Sequence, residues 1–123
     1  MDRLTTLLVV DDTVFMRETV KSLAVECGLQ VVGEAENGQQ AIELYRTLQP
    51  DLVTMDVTMP VLSGLDATKE IVNEFPSAKI IVVTALGQQK VVIKALENGA
   101  KDFLTKPFDH EQFKRIIRQM IVI

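Results

Sequence analysis

Leu7-Leu8-Val9-Val10-Asp11-Asp12 decides the fold. Four consecutive branched apolar residues leave no polar face, so the strand they form is buried on both sides, as in a parallel sheet. Outward from it, Val14 to Cys27 carries apolar residues at helical spacing and stops at Gly28. The same couplet recurs four times. Strand-like runs at Val31–Val32, Leu52–Met55, Ile80–Thr84 and Phe103–Thr105 alternate with helical patterns at Gln39–Leu48, Leu65–Phe75, Gln89–Asn98 and His110–Met120. Gly28 and Gly99 offer the left-handed stop of a helix end, and Pro50 and Pro76 cannot continue one.

Five strand–helix couplets with short connections predict right-handed crossovers and a parallel sheet covered on both faces. The expectation is an α/β, flavodoxin-like doubly wound fold: a five-stranded parallel sheet in the order 2-1-3-4-5 with five helices. A chain of 123 residues has room for one core of ordinary size, so residues 1–123 are expected to form one domain. With 47% apolar and 24% charged residues it is not a disordered chain. The longest apolar stretch, Ile80 to Leu86, is far too short to span a membrane. Asp2 and Arg3 lead straight into a strand-like run, so no signal peptide is expected and the location is read as cytoplasmic. The single cysteine, Cys27, excludes an internal disulfide and reads as a small buried apolar residue. His110, at a helix start, reads as solvated, and Asn37-Gly38 as a turn.

The formal net charge is −4, which argues against direct binding of nucleic acid. It is unevenly spread, −7 over residues 1–87 and +3 over residues 88–123. Cations gathered near helix C-termini account for part of that bias.

In a doubly wound sheet, ligands sit beyond the carboxyl ends of the strands, where the order reverses. The first strand ends in Asp11-Asp12, the third in Asp56, the fourth in Thr84 and the fifth in Lys106-Pro107. Singly, each has an ordinary explanation: an Asp after a strand is as readily a helix N-cap as a ligand, and Lys before Pro is usually a solvated turn. Together they put three carboxylates, a hydroxyl and an ammonium on one rim. Three carboxylates within ~5 Å repel by roughly 3 kcal/mol per pair at an effective dielectric of 20, which a cation would relieve. Oxygen ligands with room for water and a phosphate favour Mg²⁺. A carboxylate can also attack phosphorus and become an aspartyl phosphate, with Lys106 and the Thr84 hydroxyl stabilising the phosphoryl oxygens.

At these residues the chain resembles the response-regulator receiver family. The pieces are Val9-Val10-Asp11-Asp12, Phe15-Met16-Arg17, Glu34-Ala35-Glu36-Asn37-Gly38, Met55-Asp56-Val57-Thr58-Met59-Pro60 with Gly64, Thr84-Ala85-Leu86-Gly87-Gln88-Gln89, and Gly99-Ala100-Lys101-Asp102-Phe103 running into Lys106-Pro107-Phe108. The Phe-Met-Arg and Gly-Gln-Gln pieces look most like the family's stand-alone chemotaxis regulators.

The resemblance implies that Asp56 is the phosphoacceptor and that Asp11, Asp12, Asp56 and the Thr58 backbone carbonyl hold Mg²⁺, Asp11 mainly through water. It implies that Lys106 pairs with the phosphoryl group and precedes a cis bond to Pro107, and that Thr84 and the switch aromatic Phe103 move on phosphorylation. The donor would be a sensor histidine kinase. The output would be a downstream protein docking on residues 88–120, a flagellar switch protein if the chain is chemotactic. Gln89, Val92, Ile93 and Leu96 are expected to face inward on the fourth helix, leaving Lys90, Lys94 and Glu97 outward. On the fifth, Phe113, Ile116, Ile117 and Met120 are expected inward and Lys114, Arg115 and Arg118 outward. In the family, the side chains two residues after the acceptor and two after the conserved hydroxyl tune loss of the phosphoryl group. Here they are Thr58 and Leu86, neither an acid nor an amide, so slow self-dephosphorylation is expected.

Other readings remain open at this point. A nucleotide- or flavin-binding module of the same class would carry a glycine-rich loop, and no G-x-G pair or G-x-x-x-x-G-K-[ST] loop is present. A phosphohydrolase using an aspartyl phosphate would typically place an acid at position 58. A protein-binding pseudo-receiver would not need the whole acidic, hydroxyl and lysine set. The apolar end Ile121-Val122-Ile123 either packs on the domain or belongs to a longer regulator whose output domain has been removed.

Overall fold

The computed structural model describes residues 4–121, so Val122 and Ile123 of the apolar end lie outside the described residues. Strands and helices alternate as β1 (Thr6–Val10), α1 (Val14–Glu26), β2 (Gln30–Ala35), α2 (Gly38–Leu48), β3 (Leu52–Asp56), α3 (Gly64–Glu74), β4 (Ile80–Ala85), α4 (Gln89–Glu97), β5 (Asp102–Lys106) and α5 (His110–Ile121). All four pairings are parallel and the order is β2-β1-β3-β4-β5, as expected.

The all-apolar strands work because alternate side chains enter different cores. Leu8, Val10, Val53, Met55, Ile80 and Val82 pack with Ala41, Ile42 and Tyr45 of α2, Ala67 and Ile71 of α3 and Ala95 of α4. Leu7, Val9, Leu52, Ile81, Val83 and Leu104 pack on the other face with Val20, Leu23 and Ala24 of α1 and Phe113 and Ile117 of α5. Each fully buried side chain of this size contributes roughly 1.5–3 kcal/mol against exposure. The chain leaves β1 for α1 on one face and β3 for α3 on the other, so the loops after β1 and β3 part and open a crevice between them.

Four expectations need correction. β2 runs for six residues rather than two; it is an edge strand with mixed burial, and its register to β1 shifts between Leu7 and Leu8. On α4 the inward face is Ala95 with half-buried Val91 and Val92, whereas Gln89, Ile93 (57% exposed) and Leu96 (44% exposed) face out. Ala95 is fully buried in the core against the sheet, a face that counting only large apolar residues misplaces. Cys27 is only partly buried, at the C-terminal cap of α1. Lys114 is half-buried rather than exposed, while Arg115 and Arg118 are exposed.

Candidate functional site

Three strand ends and the strand-to-helix loops beyond β1, β3 and β4 supply the site. Asp11 follows β1 directly, and its N–H donates to the Ala35 carbonyl of β2 at 3.0 Å. Both oxygens of its carboxylate have partners: Oδ1 accepts from the Thr13 N–H (2.9 Å) and hydroxyl (3.1 Å), and Oδ2 from Lys106 Nζ (3.2 Å). Asp56 closes β3, Thr84 stands one residue before the end of β4, and Lys106 closes β5. Lys106 Nζ also donates to Asp56 Oδ1 at 3.2 Å, so one ammonium bridges two buried carboxylates. The Lys106–Pro107 bond is cis.

The capping alternative for these acids does not hold. Thr13 caps α1 by accepting from the Met16 N–H, and Ser63 caps α3 by accepting from Asp66. Asn37, read as a turn residue, caps α2 in the same way through Gln40. Asp12 and Asp56 are therefore free of that duty.

Asp12, Asp56, Thr58, Thr84 and Lys106 line one open depression of about 450 Å³, together with Val57, Ala85, Gln88 and Val91. Asp11 lies behind it. Phe103 is not brought into the lining; it is half-buried on β5, in register with Val82 of β4. Gly64 backs onto the site: its N–H donates to the Val57 carbonyl at 2.9 Å, and a Cβ there would collide with the Asp56 carbonyl. His110 is exposed at the start of α5, with Nδ1 3.4 Å from Glu26 Oε2.

Burial lifts the Asp56 carboxyl from its ordinary value to about 6, the Asp11 charge adds to that, and Lys106 pulls the other way. Burial works against the Lys106 ammonium too, but Asp56 and Asp11 together outweigh it and raise its pKa. Three carboxylates thus face one ammonium. Oxygens of Asp11, Asp12 and Asp56 all lie within 4.8 Å of one another. Two oxygens across a Mg²⁺ ion are at most ~4.2 Å apart, so this all-oxygen set fits a hard divalent cation after small side-chain movements. Among the described residues no helix is long and apolar enough to cross a membrane.

The structure adds Arg17 to the residues around the site. Its Nη1 donates to the Asp11 carbonyl at 2.8 Å and its Nε to Glu34 Oε1 at 3.1 Å. A sequence signal did exist: a cation close to a helix N-terminus opposes the macrodipole and so calls for a partner.

Comparison with known proteins agrees with this geometry. Residues 7–118 match the response regulator receiver domain model. Chemotaxis protein CheY of Thermotoga maritima is 54% identical over 101 residues, 82% of this chain and 84% of that protein. Chemotaxis protein CheY of Bacillus subtilis is 48% identical over 115 residues, 94% and 96% of the two chains. Among solved structures, the CheX–CheY–BeF3–Mg complex of Borrelia burgdorferi superposes with a TM-score of 0.91 at 29% identity, covering 96% of this chain and 90% of that one. With five parallel strands in this order and a match across nearly its full length, the chain belongs to the response regulator receiver domain family and is a receiver of two-component signalling closely related to CheY.

Proposed function

We propose that Asp56 accepts a phosphoryl group from the phosphohistidine of a sensor histidine kinase, and that residues 1–123 act as one receiver unit. The observation that carries this reading is Lys106 bridging Asp11 and Asp56 at 3.2 Å each, on the rim that Asp12 and Thr84 also line. A carboxyl with a pKa of about 6 is mostly carboxylate at neutral pH and can act as nucleophile. An Asp56 oxygen attacks phosphorus in line, the P–N bond to the donor histidine breaks, and the leaving imidazole takes a proton. Lys106 then follows the phosphoryl group, and the Thr84 hydroxyl donates to another of its oxygens. Asp11, Asp12, Asp56 and the Thr58 carbonyl would hold Mg²⁺, which neutralises charge on the transferring group. The chain turns over no separate substrate beyond gaining and slowly losing this group.

Output is assigned to the face of α4, β5 and α5, with Thr84 and Phe103 carrying the change to it. Exposed Ile93 and Leu96 flanked by Lys90 and Lys94, with Arg115 and Arg118 on α5, suit a partner with an apolar patch edged by acids. The CheY relatives favour a chemotactic setting, in which that partner is a flagellar switch protein. The acceptor is tested by borohydride trapping after incubation with acetyl phosphate and Mg²⁺. Reduction should convert position 56, and no other acid, to homoserine; label at Asp11 or Asp12 would overturn the assignment.

A further inference from the structure

Asp12 stands apart from the other two acids. Asp11 and Asp56 are buried and tied to Lys106, whereas Asp12 is exposed and makes no side-chain hydrogen bond. Its position therefore follows from its backbone, above all from the peptide joining Asp11 to Asp12. The carbonyl of that peptide accepts the 2.8 Å bond from Arg17 Nη1. Arg17 is itself fixed: its side chain is only 12% exposed, and its Nε is held by Glu34 Oε1 at 3.1 Å. Glu34 is held in turn by Lys21 at 2.8 Å. A two-armed guanidinium can lock two acceptors in one plane, which an ammonium cannot do.

We propose that Arg17 is a positioning residue for the divalent cation, holding the Asp11–Asp12 peptide so that the Asp12 carboxylate meets Asp11 and Asp56 in one ligand set. The inference rests on the reading of these three acids as the Mg²⁺ site. Its sign separates it from simpler roles. As a nearby positive charge, Arg17 repels the cation, so deleting that charge alone would tighten binding. As a tie between α1 and β2 alone, it could be loosened without touching affinity. Positioning predicts weaker binding despite the lost repulsion.

The test is calorimetric titration of the metal-free protein with MgCl₂, for wild type, Asp12→Asn, Arg17→Met, Arg17→Lys and Glu34→Gln, each checked for a cooperative thermal transition. Arg17→Met should weaken Mg²⁺ binding about tenfold, the low end for loss of an outer-sphere partner. Glu34→Gln removes the ion pair, but its amide oxygen can still accept from Arg17 Nε and the bond to the Asp11 carbonyl is kept, so it should lose stability and keep its affinity. Should Arg17→Met not fold, Arg17→Lys decides: it keeps the charge, its ammonium follows the Glu34 carboxylate, and binding should again weaken. Wild-type affinity or tighter binding in a folded Arg17 variant overturns the inference, as does an equal loss in Glu34→Gln. Wild type that binds no Mg²⁺, or Asp12→Asn that binds as well as wild type, overturns the metal site itself and the inference with it.

Discussion

Asp56 costs the metal-free protein stability at neutral pH. Its folded pKa of about 6 lies above the 3.8 of an unperturbed Asp, so the native state holds the proton more tightly than the unfolded chain. Stability contributed by this group is present below pH 4 and is lost as pH rises through 6. Asp56→Asn should therefore raise the metal-free protein's stability by on the order of 2 kcal/mol at pH 7. The gain should shrink at pH 5, where wild-type Asp56 is largely protonated; parallel denaturant melts at the two pH values check both parts. Thr54 makes a separate case. It is buried in the middle of β3 and its hydroxyl has no partner. Thr54→Val keeps the shape and removes the orphan, so it should be neutral or stabilising by about 1 kcal/mol in the same melts. The acids, Thr84 and Lys106 were legible in sequence because each ends a recognisable strand. Arg17 shows only as a cation near a helix N-terminus, because its partners are a backbone carbonyl and a residue on β2, and neither leaves a mark in residue spacing.

Elements were legible where burial was two-sided. β1, β3 and β4 are mostly apolar runs, and their ends fall within a residue or two of the expected ones. β2 shows little of itself because its outer edge is exposed and its register is broken. The inward face of α4 is hard to read because Ala95, its one buried residue, is the least hydrophobic of its apolar set. Two substitutions check the corrected face by thermal or urea denaturation. Ile93→Asp should change stability by no more than about 0.5 kcal/mol, as for other solvent-facing positions. Ala95→Leu should cost about 1–3 kcal/mol by overpacking. If partner docking uses α4, Ile93→Asp should nonetheless abolish it while leaving phosphorylation intact. At the α3 N-terminus, Gly64→Ala should cost more than a surface change and impair phosphorylation too, because the added methyl displaces the Asp56 backbone. Normal labelling of a folded Gly64→Ala protein would contradict that link between element packing and site.

At the scale of the whole molecule, the doubly wound order brings the ends of β1, β3, β4 and β5 to one rim while the two cores hold them there. That convergence is legible in the sequence because three acids, a threonine and a lysine each stand at or just beyond the carboxyl end of a strand. On the function proposed above, the lifetime of the phosphoryl group should depend on the exposed side chains at positions 58 and 86, Thr58 and Leu86. Neither is an acid or an amide, the groups that best orient an attacking water, so Leu86→Glu or Thr58→Asn should shorten its lifetime; unchanged decay by phosphate release would remove that explanation. Phosphorylation and partner binding should also favour each other reciprocally, since both select the same conformer.

The most direct measurement is an intact-mass spectrum after incubation with acetyl phosphate, with and without Mg²⁺, run beside Asp56→Asn. The account predicts one phosphoryl adduct on the wild type that vanishes without Mg²⁺ and never forms on Asp56→Asn. An adduct of equal yield on Asp56→Asn, or none on wild type under conditions that label another receiver, would contradict it.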